Sequence, residues 1–555
     1  MDKYIKKIYD KHSTLLVSFL LNVIVMFVLI LIFDPHYDVD DDIAMSNLVD
    51  GSKGMHDTHL IFINSVIGYI LKYLYIHIPI IPWYAVLQYI IIFVSFTACT
   101  FVMLKRLKTG YTKCVYLIFL TVFSFECYIF IQFSKTAAIA SVAGVLLLLA
   151  ALALKKISKG LLIIGYVLSL TGACYRLWQF YAEVILLSGI GLFLLFRWIE
   201  NRDWKRMAIC FGVFFVLLLC VLGLNQWDHL QYQDKEWAEY MEFNELRSQL
   251  YDYGFPTYEG NEEVFEKLGI DQTTMNLLWK YTHLDPDRIT IESLRSLVSL
   301  KEPKKINWKF VVDFFKTIYL GVYCIPGFLV ALLFGGIWLF YNKRIWQEVV
   351  TVLYEFVMIN IVYVYLFYSG RFFWNRVDMG LWMAVALVIL WLLDKKNEKF
   401  SLHAGIINFM MIAIVSLHIT YPQIRLNKTN AHAAKLVARN NIESIHDDSE
   451  HLYMTKIKTI STFSCYGPFE RIPEGTIANI CPLGGWASRS ATENNILKRY
   501  GVENPFKDII NNEKMYVLDD QIDITLAYIQ KWYASKARAE VVKDMGAYKV
   551  YRIVE

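Results

Sequence analysis

The chain contains 555 residues, of which 56% are hydrophobic, 16% are aromatic and only 19% are charged. The apolar residues occur in runs long enough to cross a bilayer, which excludes an ordinary soluble globular protein and predicts an integral, multi-pass membrane protein. The 55 basic and 51 acidic residues leave a net charge of +4. No nucleic-acid partner is therefore expected, and the position of each charge carries more information than the total.

The first apolar run, residues 15–33, follows a short segment rich in lysine. It is long enough to span a membrane and has no small-residue cleavage site after it, so it is interpreted as a retained membrane helix that starts from a cytoplasmic N-terminus. Hydropathy and the cytoplasmic preference of Lys and Arg predict further crossings, eleven in all. The later ones lie near residues 82–104, 114–133, 136–154, 161–177, 181–199, 208–225, 322–341, 350–368, 381–393 and 405–419.

These crossings divide the chain into a transmembrane domain, residues 1–425, and an extracytoplasmic soluble domain, residues 426–555. The transmembrane domain carries an outer acidic loop (34–58), a helix lying in the outer interface (59–81) and an outer helical insertion (226–308). In the soluble domain, β-like runs alternate with helical ones, which indicates a small α/β domain. The predicted fold class is mainly α, a polytopic membrane helix bundle with a small α/β C-terminal domain.

The chain has nine cysteines, and none shows the spacing of zinc ligands. Only Cys465 and Cys481 fall in a polar region. Both a disulfide and two free thiols are compatible with an exported position for them.

The outer acidic loop lies directly at the end of the first apolar run. Carboxylates at a membrane surface are electrostatically unfavourable, so a cluster of them indicates proton abstraction, cation binding or substrate orientation. A solvated loop that marks the outer end of a membrane helix is the alternative. The aspartates concerned are Asp34, Asp38, Asp40, Asp41 and Asp42.

The same loop does not match a metal-binding pattern. It begins like an EF-hand, but Ile43 stands where the turn requires Gly, and Val49 stands where a bidentate Glu is required. His56 and His59 lack a Cys or Glu that would complete a zinc tetrahedron. No cofactor is predicted, although a divalent cation held by the aspartates stays open.

Four basic residues lie on the outer side of the predicted topology, close to the membrane: Lys135, Arg176, Arg371 and Arg376. Cations at this depth would suit a phosphate or pyrophosphate, because guanidinium groups match phosphate oxygens and the nearby hydrocarbon lowers the dielectric. Each could instead extend to the surface or pair with an acidic residue. The neighbouring Trp178 and Trp374 could stack on a sugar ring or belong to the interfacial aromatic belt.

The predicted architecture combines an aspartate-containing first outer loop, an interfacial helix in that loop, a large outer insertion and an outer C-terminal domain. Several short motifs accompany it: Asp41-Asp42-Ile43-Ala44-Met45, Gly51, His59, Phe62-Ile63-Asn64, Gly68, Leu74-Tyr75, Pro82-Trp83-Tyr84, Gln132-Phe133-Ser134-Lys135-Thr136, Gly370-Arg371 and Arg376. In these features the chain resembles the GT-C class of membrane glycosyltransferases, and within it the bacterial branch that decorates cell-wall or surface polysaccharides.

The resemblance implies an enzyme of the hexosyltransferase type that moves a sugar from a polyprenyl-phosphate donor to a hydroxyl of a cell-surface glycan outside the membrane. A first-loop carboxylate would accept the proton of the acceptor, and cations would stabilise the departing lipid phosphate. Direct displacement of this kind predicts inversion at the anomeric carbon. Asp41 or Asp42 is the candidate base, with Asp40 third. The candidate substrate-binding residues are Arg371, Arg376, Lys135, Arg176, His59, Asn64 and Trp374.

Three other classes of protein stay open. A transporter or flippase of lipid-linked sugars would need polar or broken helices at mid-membrane, whereas the charges within these spans are few (Glu126, Glu183 and Glu355). A polymerase or ligase of lipid-linked polysaccharide would also act on the outer side, but it usually places its large outer loop later in the chain. A non-catalytic scaffold would tolerate replacement of the aspartates.

Overall fold

The computed structural model describes residues 2–301, 306–320, 325–341, 345–370, 375–393, 413, 435–456, 465–546 and 548–555. Helices dominate as far as residue 393, and a small sheet follows in the C-terminal part. The predicted fold class, mainly α with a small C-terminal α/β region, is confirmed. The predicted helix at 405–419 lies almost wholly outside the described residues.

Long apolar helices form the first part of the molecule. Their bounds are α1 Asp2–Ile32, α4 Trp83–Arg106, α5 Gly110–Ile129, α6 Phe133–Ala153, α7 Lys159–Tyr175, α8 Leu177–Glu200, α9 Trp204–Gln231, α15 Ile325–Tyr341, α16 Trp346–Ser369 and α17 Asn375–Leu392. In the part of the chain that the structure describes, seven helices are long and apolar enough to cross a membrane. They are α4, α5, α6, α8, α9, α16 and the segment Ser13–Ile32 of α1.

The membrane helices pack around α6, whose residues are almost all buried. Gly144 and Gly172 allow α6 and α7 to approach closely, because a Cβ on Gly172 would lie 2.8 Å from the backbone nitrogen of Ser141 and one on Gly144 would lie 2.4 Å from that of Ser169. Small residues at a helix contact are the usual way to pack helices where lipid removes the hydrophobic driving force.

A short parallel ladder joins the acidic loop to the turn between α5 and α6. Its strands are β1, His36–Tyr37, and β2, Phe130–Ile131. The ladder continues through a hydrogen bond from the Asp38 backbone nitrogen to the Ile131 carbonyl oxygen, 3.0 Å long. It places the aspartates beside the first turn of α6.

The acidic loop contains a helix that hydropathy did not predict, α2, Asp40–Val49. Its first turn consists of Asp40, Asp41 and Asp42, where the helix dipole favours carboxylates. A helix of ten residues is marginal by itself. The burial of Met45, Leu48 and Val49 explains its presence, because these side chains pack into a core with α4 and with the next helix, α3 (Ser65–His77).

The interfacial segment contains one amphipathic helix, α3, Ser65–His77. It buries Ile67, Leu71 and Tyr75 and exposes an apolar face. The exposed side chains include Tyr69, Ile70, Tyr73 and Ile76. An exposed apolar face on a helix too short to span is typical of a segment lying at a membrane surface.

The outer insertion and the C-terminal part share one hydrophobic core. The insertion supplies α10 Lys235–Tyr251, α11 Glu262–Lys267, α12 Gln272–Trp279 and α13 Ile291–Ser299, and α14 Trp308–Phe315 follows. The C-terminal strands are β3 Leu452–Thr455, β4 Ile480–Pro482, β5 Met515–Asp519, β6 Arg538–Asp544 and β7 Lys549–Val554, with helices Ala491–Arg499, Pro505–Asp508 and Ile522–Trp532. Phe243 and Leu297 of the insertion belong to the same buried cluster as Leu452 and Val517 of the sheet.

The five C-terminal strands form one mixed sheet in the order β4-β3-β5-β7-β6. Strand β3 is parallel to β4 and β5, whereas β7 is antiparallel to β5 and β6. Cys465 and Cys481 are both buried free thiols, so they are not bonded to each other.

Candidate active site

The three consecutive aspartates at the start of α2 lie in three different environments. Asp40 is exposed, Asp41 is partly exposed with 27% of its side chain accessible, and Asp42 is completely buried. Successive residues of a helix point about 100° apart, which explains why three neighbours in the sequence differ so much in exposure.

Asp42 joins α2 to two membrane helices. Its Oδ1 accepts hydrogen bonds from the Tyr84 hydroxyl (2.9 Å), Gln88 Nε2 (3.3 Å) and the backbone nitrogen of Phe133 (3.1 Å). Burial raises the pKa of Asp42 to about 8, although the hydrogen bonds from Tyr84 and Gln88 act in the opposite direction. This carboxyl is enclosed by protein, so it is better placed to hold α2 than to meet a substrate.

Asp41 contacts two residues from distant parts of the chain. Its Oδ1 accepts a hydrogen bond from Trp486 Nε1 (3.0 Å), and its Oδ2 lies 3.3 Å from Nη1 of Arg376. Arg376 belongs to the first turn of α17, and 21% of its side chain is exposed. The structure therefore brings a first-loop carboxylate and a predicted outer cation together at a position open to solvent.

An aromatic cluster adjoins Asp41. The Phe62 ring lies 4.8 Å from the Trp486 ring and stacks on Phe133 with a centroid distance of 5.9 Å. The Arg176 guanidinium lies 5.3 Å from the Phe62 centroid and 5.7 Å from that of Phe133, within the range of a cation–π contact. Asp41, Arg376 and Arg176 are thus linked through one set of aromatic rings, which we call the aromatic platform (Phe62, Phe133 and Trp486).

Lys135 lies in the first turn of α6, and its side chain is completely buried. Its Nζ is 3.2 Å from Asp38 Oδ2 and 3.2 Å from Glu126 Oε2. Glu126 comes from α5, so the lysine bridges the acidic loop and two membrane helices. With two carboxylates around it, Lys135 is placed as a structural cation rather than as a free phosphate ligand.

His59 and Asn64 have structural contacts. His59 lies between Asp57 Oδ1 (2.7 Å from Nδ1) and the Gln231 carbonyl oxygen (3.0 Å from Nε2), and it stacks on Trp237. Its pKa is raised, because the contacts with Asp57 outweigh the burial that lowers it. Asn64 caps α3 at the backbone nitrogen of Val66.

A cavity of about 70 Å³ lies beside Phe62 of the aromatic platform. Phe62 and Asn64 line it together with Leu177, which follows Arg176 in the chain, and Asp228 of α9. Of the other predicted site residues, Trp178 is exposed, whereas Arg371 and Trp374 lie outside the described residues. Over the described ranges, no group of three or more His, Cys, Asp or Glu side chains is arranged to hold a metal ion.

Sequence reasoning missed Trp486 and Gln88, and it named Tyr84 only as part of the family resemblance, not as a partner of Asp42. Tyr84 and Gln88 lie on one face of α4, as residues four apart do, but a polar residue near the end of a membrane helix is common. Trp486 follows a Gly484-Gly485 pair in a polar segment. That pair was the only local signal for a tight turn, and nothing nearby connects it to Asp41, 445 residues away.

No protein-family model matches the chain, and no curated protein matches it. Two crystal structures of ArnT from Cupriavidus metallidurans do match, one in the apo state (TM-score 0.41) and one bound to undecaprenyl phosphate (TM-score 0.39). Each match covers 97% of this chain and 97% of the ArnT chain at 11% sequence identity. The likeness to ArnT extends along nearly the whole chain, with little likeness in sequence.

Proposed function

We propose that this protein is a membrane glycosyltransferase that moves a sugar from a polyprenyl-phosphate donor to a hydroxyl of a cell-surface glycan. Transfer takes place on the outer side of the cell membrane, where the insertion and the C-terminal domain lie. The basic loops between the membrane helices support a cytoplasmic N-terminus.

One observation carries the proposal: a partly exposed carboxylate, Asp41, lies within contact distance of Arg376 and beside an aromatic platform that also holds Arg176. A transferase that uses a lipid-phosphate donor needs a base for the acceptor, cations for the leaving phosphate and flat apolar surface for a sugar ring. The contacts on Asp41, Arg376 and the platform supply groups of all three kinds within one region.

In the proposed reaction, the acceptor hydroxyl attacks the anomeric carbon while Asp41 takes its proton. The bond between the anomeric carbon and the phosphate oxygen breaks, and its electron pair stays on the phosphate. Arg376 and Arg176 stabilise the charge that develops there. Because Arg376 lies 3.3 Å from Asp41, a bound phosphate would compete for this guanidinium and leave Oδ2 available to the acceptor. A single displacement of this kind inverts the anomeric carbon.

Replacement of Asp41 tests the assignment. We expect Asp41→Asn to lower sugar transfer by about 100-fold or more, since a positioned base contributes about 10²–10⁴-fold to a reaction of this type. Purified protein in detergent would be incubated with radiolabelled polyprenyl-phosphate sugars and crude envelope glycan. The matched control is Asp34→Asn, which removes an exposed aspartate of the same loop and should leave transfer unchanged.

Asp40→Asn tests the competing assignment, in which Asp40 is the base, because Asp40 is exposed on the same helical turn. A loss of transfer in Asp40→Asn, with normal activity in Asp41→Asn, would assign the general base to Asp40 instead of Asp41. Donor lipid that crosses vesicle membranes without being consumed would instead support a flippase.

A further inference from the structure

Trp486 is the contact through which the C-terminal domain reaches Asp41. Its indole nitrogen donates to Asp41 Oδ1 over 3.0 Å, and only 9% of the residue is exposed. The ring rests on Phe62 of the aromatic platform. Nothing in its local sequence requires this side chain to face the membrane domain.

The turn that carries Trp486 is held by the outer insertion. The Tyr240 hydroxyl of α10 donates to the Trp486 carbonyl oxygen over 2.6 Å. Two residues earlier, Gly484 forms an isolated bridge with Thr282. A Cβ on Gly484 would lie 1.6 Å from the Tyr281 carbonyl oxygen, so only glycine permits this approach. The Gly485 carbonyl oxygen contacts His283 Nε2 at 3.0 Å.

The C-terminal domain is also attached directly to the first outer loop. The backbone nitrogens of Gly475 and Ile477 donate to the carbonyl oxygens of Gly51 and Ser52, each over 2.9 Å. Thr492 donates its hydroxyl to Asp57, and Lys53 pairs with the buried Glu493. These contacts lie on both sides of Trp486 in the sequence, so the indole is anchored relative to α2.

We infer that Trp486 is a positioning residue for the proposed transfer reaction: its N–H fixes the Asp41 carboxylate so that Oδ2 faces the acceptor. The inference rests on the proposed function and extends it, because it makes the C-terminal domain a part of the active site. An aspartate has two free side-chain torsions. Anchoring Oδ1 to the indole holds both of them, whereas the pairing with Arg376 alone would be lost when phosphate binds.

Loss of the Trp486 N–H should lower the rate of sugar transfer more than it weakens binding of the donor. Without the N–H, the carboxylate would sample orientations that do not meet the acceptor, and a misplacement of about 1 Å can lower a rate by about 100-fold. Donor recognition by Arg376 and Arg176 would persist. A residue that only stabilises the fold would change the amount of active protein, not the turnover of each folded molecule.

The test uses the full-length protein with Trp486→Phe, which keeps an aromatic ring and removes the N–H. We expect kcat to fall by about 10- to 100-fold with the KM for the polyprenyl-phosphate sugar unchanged within twofold. The matched control is Trp279→Phe in α12, an exposed tryptophan of the insertion, which should change neither constant. Tm values report whether each variant is folded.

A second variant covers the case in which Trp486→Phe unfolds. Tyr240→Phe removes the hydroxyl that holds the Trp486 carbonyl oxygen. The indole keeps its N–H but loses one anchor, so kcat should also fall, by a smaller factor. Combining Trp486→Phe with Asp41→Glu completes a double-mutant cycle. If the indole acts through Asp41, the combined loss will be smaller than the product of the two single losses.

Three outcomes overturn the inference. Normal kcat in Trp486→Phe, with transfer abolished in Asp41→Asn, would contradict the role of the indole and leave the proposed function intact. Losses that multiply fully in the double variant would show that the two residues act separately. An absence of transfer by the wild-type protein would remove the proposed function, and with it this role for Trp486.

Discussion

The two neighbouring carboxyls Asp41 and Asp42 differ in one physical respect, their access to water. Asp42 lies in the interior with three donors on a single oxygen, and its other oxygen, Oδ2, is buried without a hydrogen-bond partner. An unpaired buried oxygen favours the protonated acid, because ionisation there would cost desolvation without compensation. Asp41 keeps a partly exposed side chain next to Arg376, within reach of a bound molecule.

The titration of Asp42 predicts a pH dependence of stability. Its pKa is raised from about 3.8 to about 8 by burial, so between these values the folded protein holds a proton that the unfolded chain has released. The free energy of unfolding should therefore fall as pH rises through this window, by up to about 1.4 kcal/mol per pH unit, and level off above pH 8.

Asp42→Asn isolates this contribution, because the amide keeps an acceptor at Oδ1 and does not titrate. We expect the fall in Tm between pH 5.5 and pH 8.5 to be smaller in Asp42→Asn than in the wild type. Asp34→Asn should keep the wild-type fall. Sugar transfer should persist in Asp42→Asn. An unchanged pH response would mean that Asp42 is ionised in the folded protein.

At the scale of elements, the ladder β1–β2 and the first turn of α6 fix α2 against the membrane helices. Lys135 is central to this arrangement, because it neutralises Asp38 of the loop and Glu126 of α5 at the same time. A buried cation between two carboxylates stabilises an arrangement mainly because its removal leaves like charges together.

Lys135→Met should therefore destabilise the protein by about 3 kcal/mol or more. A thermal-unfolding experiment in detergent would measure this, with Lys113→Met as the control, since Lys113 is an exposed lysine of α5. Adding Glu126→Gln should recover part of the loss by removing one of the two unpaired charges. Equal Tm values for Lys135→Met and Lys113→Met would contradict the structural role of Lys135.

At the scale of the whole molecule, the insertion and the C-terminal domain pack together around one hydrophobic core. Arg489 connects them: its Nη2 donates to the carbonyl oxygens of His283 (3.0 Å), Asp285 (2.6 Å) and Ile289 (2.7 Å). Burial lowers the pKa of Arg489 to about 10. The guanidinium still carries its charge near neutral pH, and the three carbonyl oxygens accept from it in the interior.

Arg489→Met should weaken the contact between the insertion and the C-terminal domain. It leaves three carbonyl groups without their donor, and hydrogen bonds to a charged group contribute about 1.5–3 kcal/mol each. We expect a lower Tm and faster cleavage within the insertion under limited proteolysis. Arg295→Met is the control, because Arg295 forms an exposed ion pair with Glu242 of the kind that contributes about 1 kcal/mol or less. Similar cleavage rates for the two variants would contradict a role of Arg489 in holding the insertion to the C-terminal domain.

The sequence by itself determined where the membrane helices run, because the thickness of a bilayer imposes a length on every apolar span. The helices at 82–104 and 350–368, for example, were predicted within a few residues of α4 and α16. It also determined the C-terminal α/β pattern and the acidic loop. The helix α2 escaped prediction, because its stability comes from packing against α3 and α4 rather than from its own pattern of residues.

Only the tertiary structure decided what each candidate residue contacts. The choice of Asp41 over Asp42 as the candidate base depends on how the first turn of α2 is rotated against its neighbours. Neither composition nor the spacing of residues predicts this rotation. The pairing of Asp41 with Arg376 and Trp486 joins residues more than 300 positions apart in the chain. Such contacts arise when separate elements pack together, and a linear pattern records only what is near along the chain.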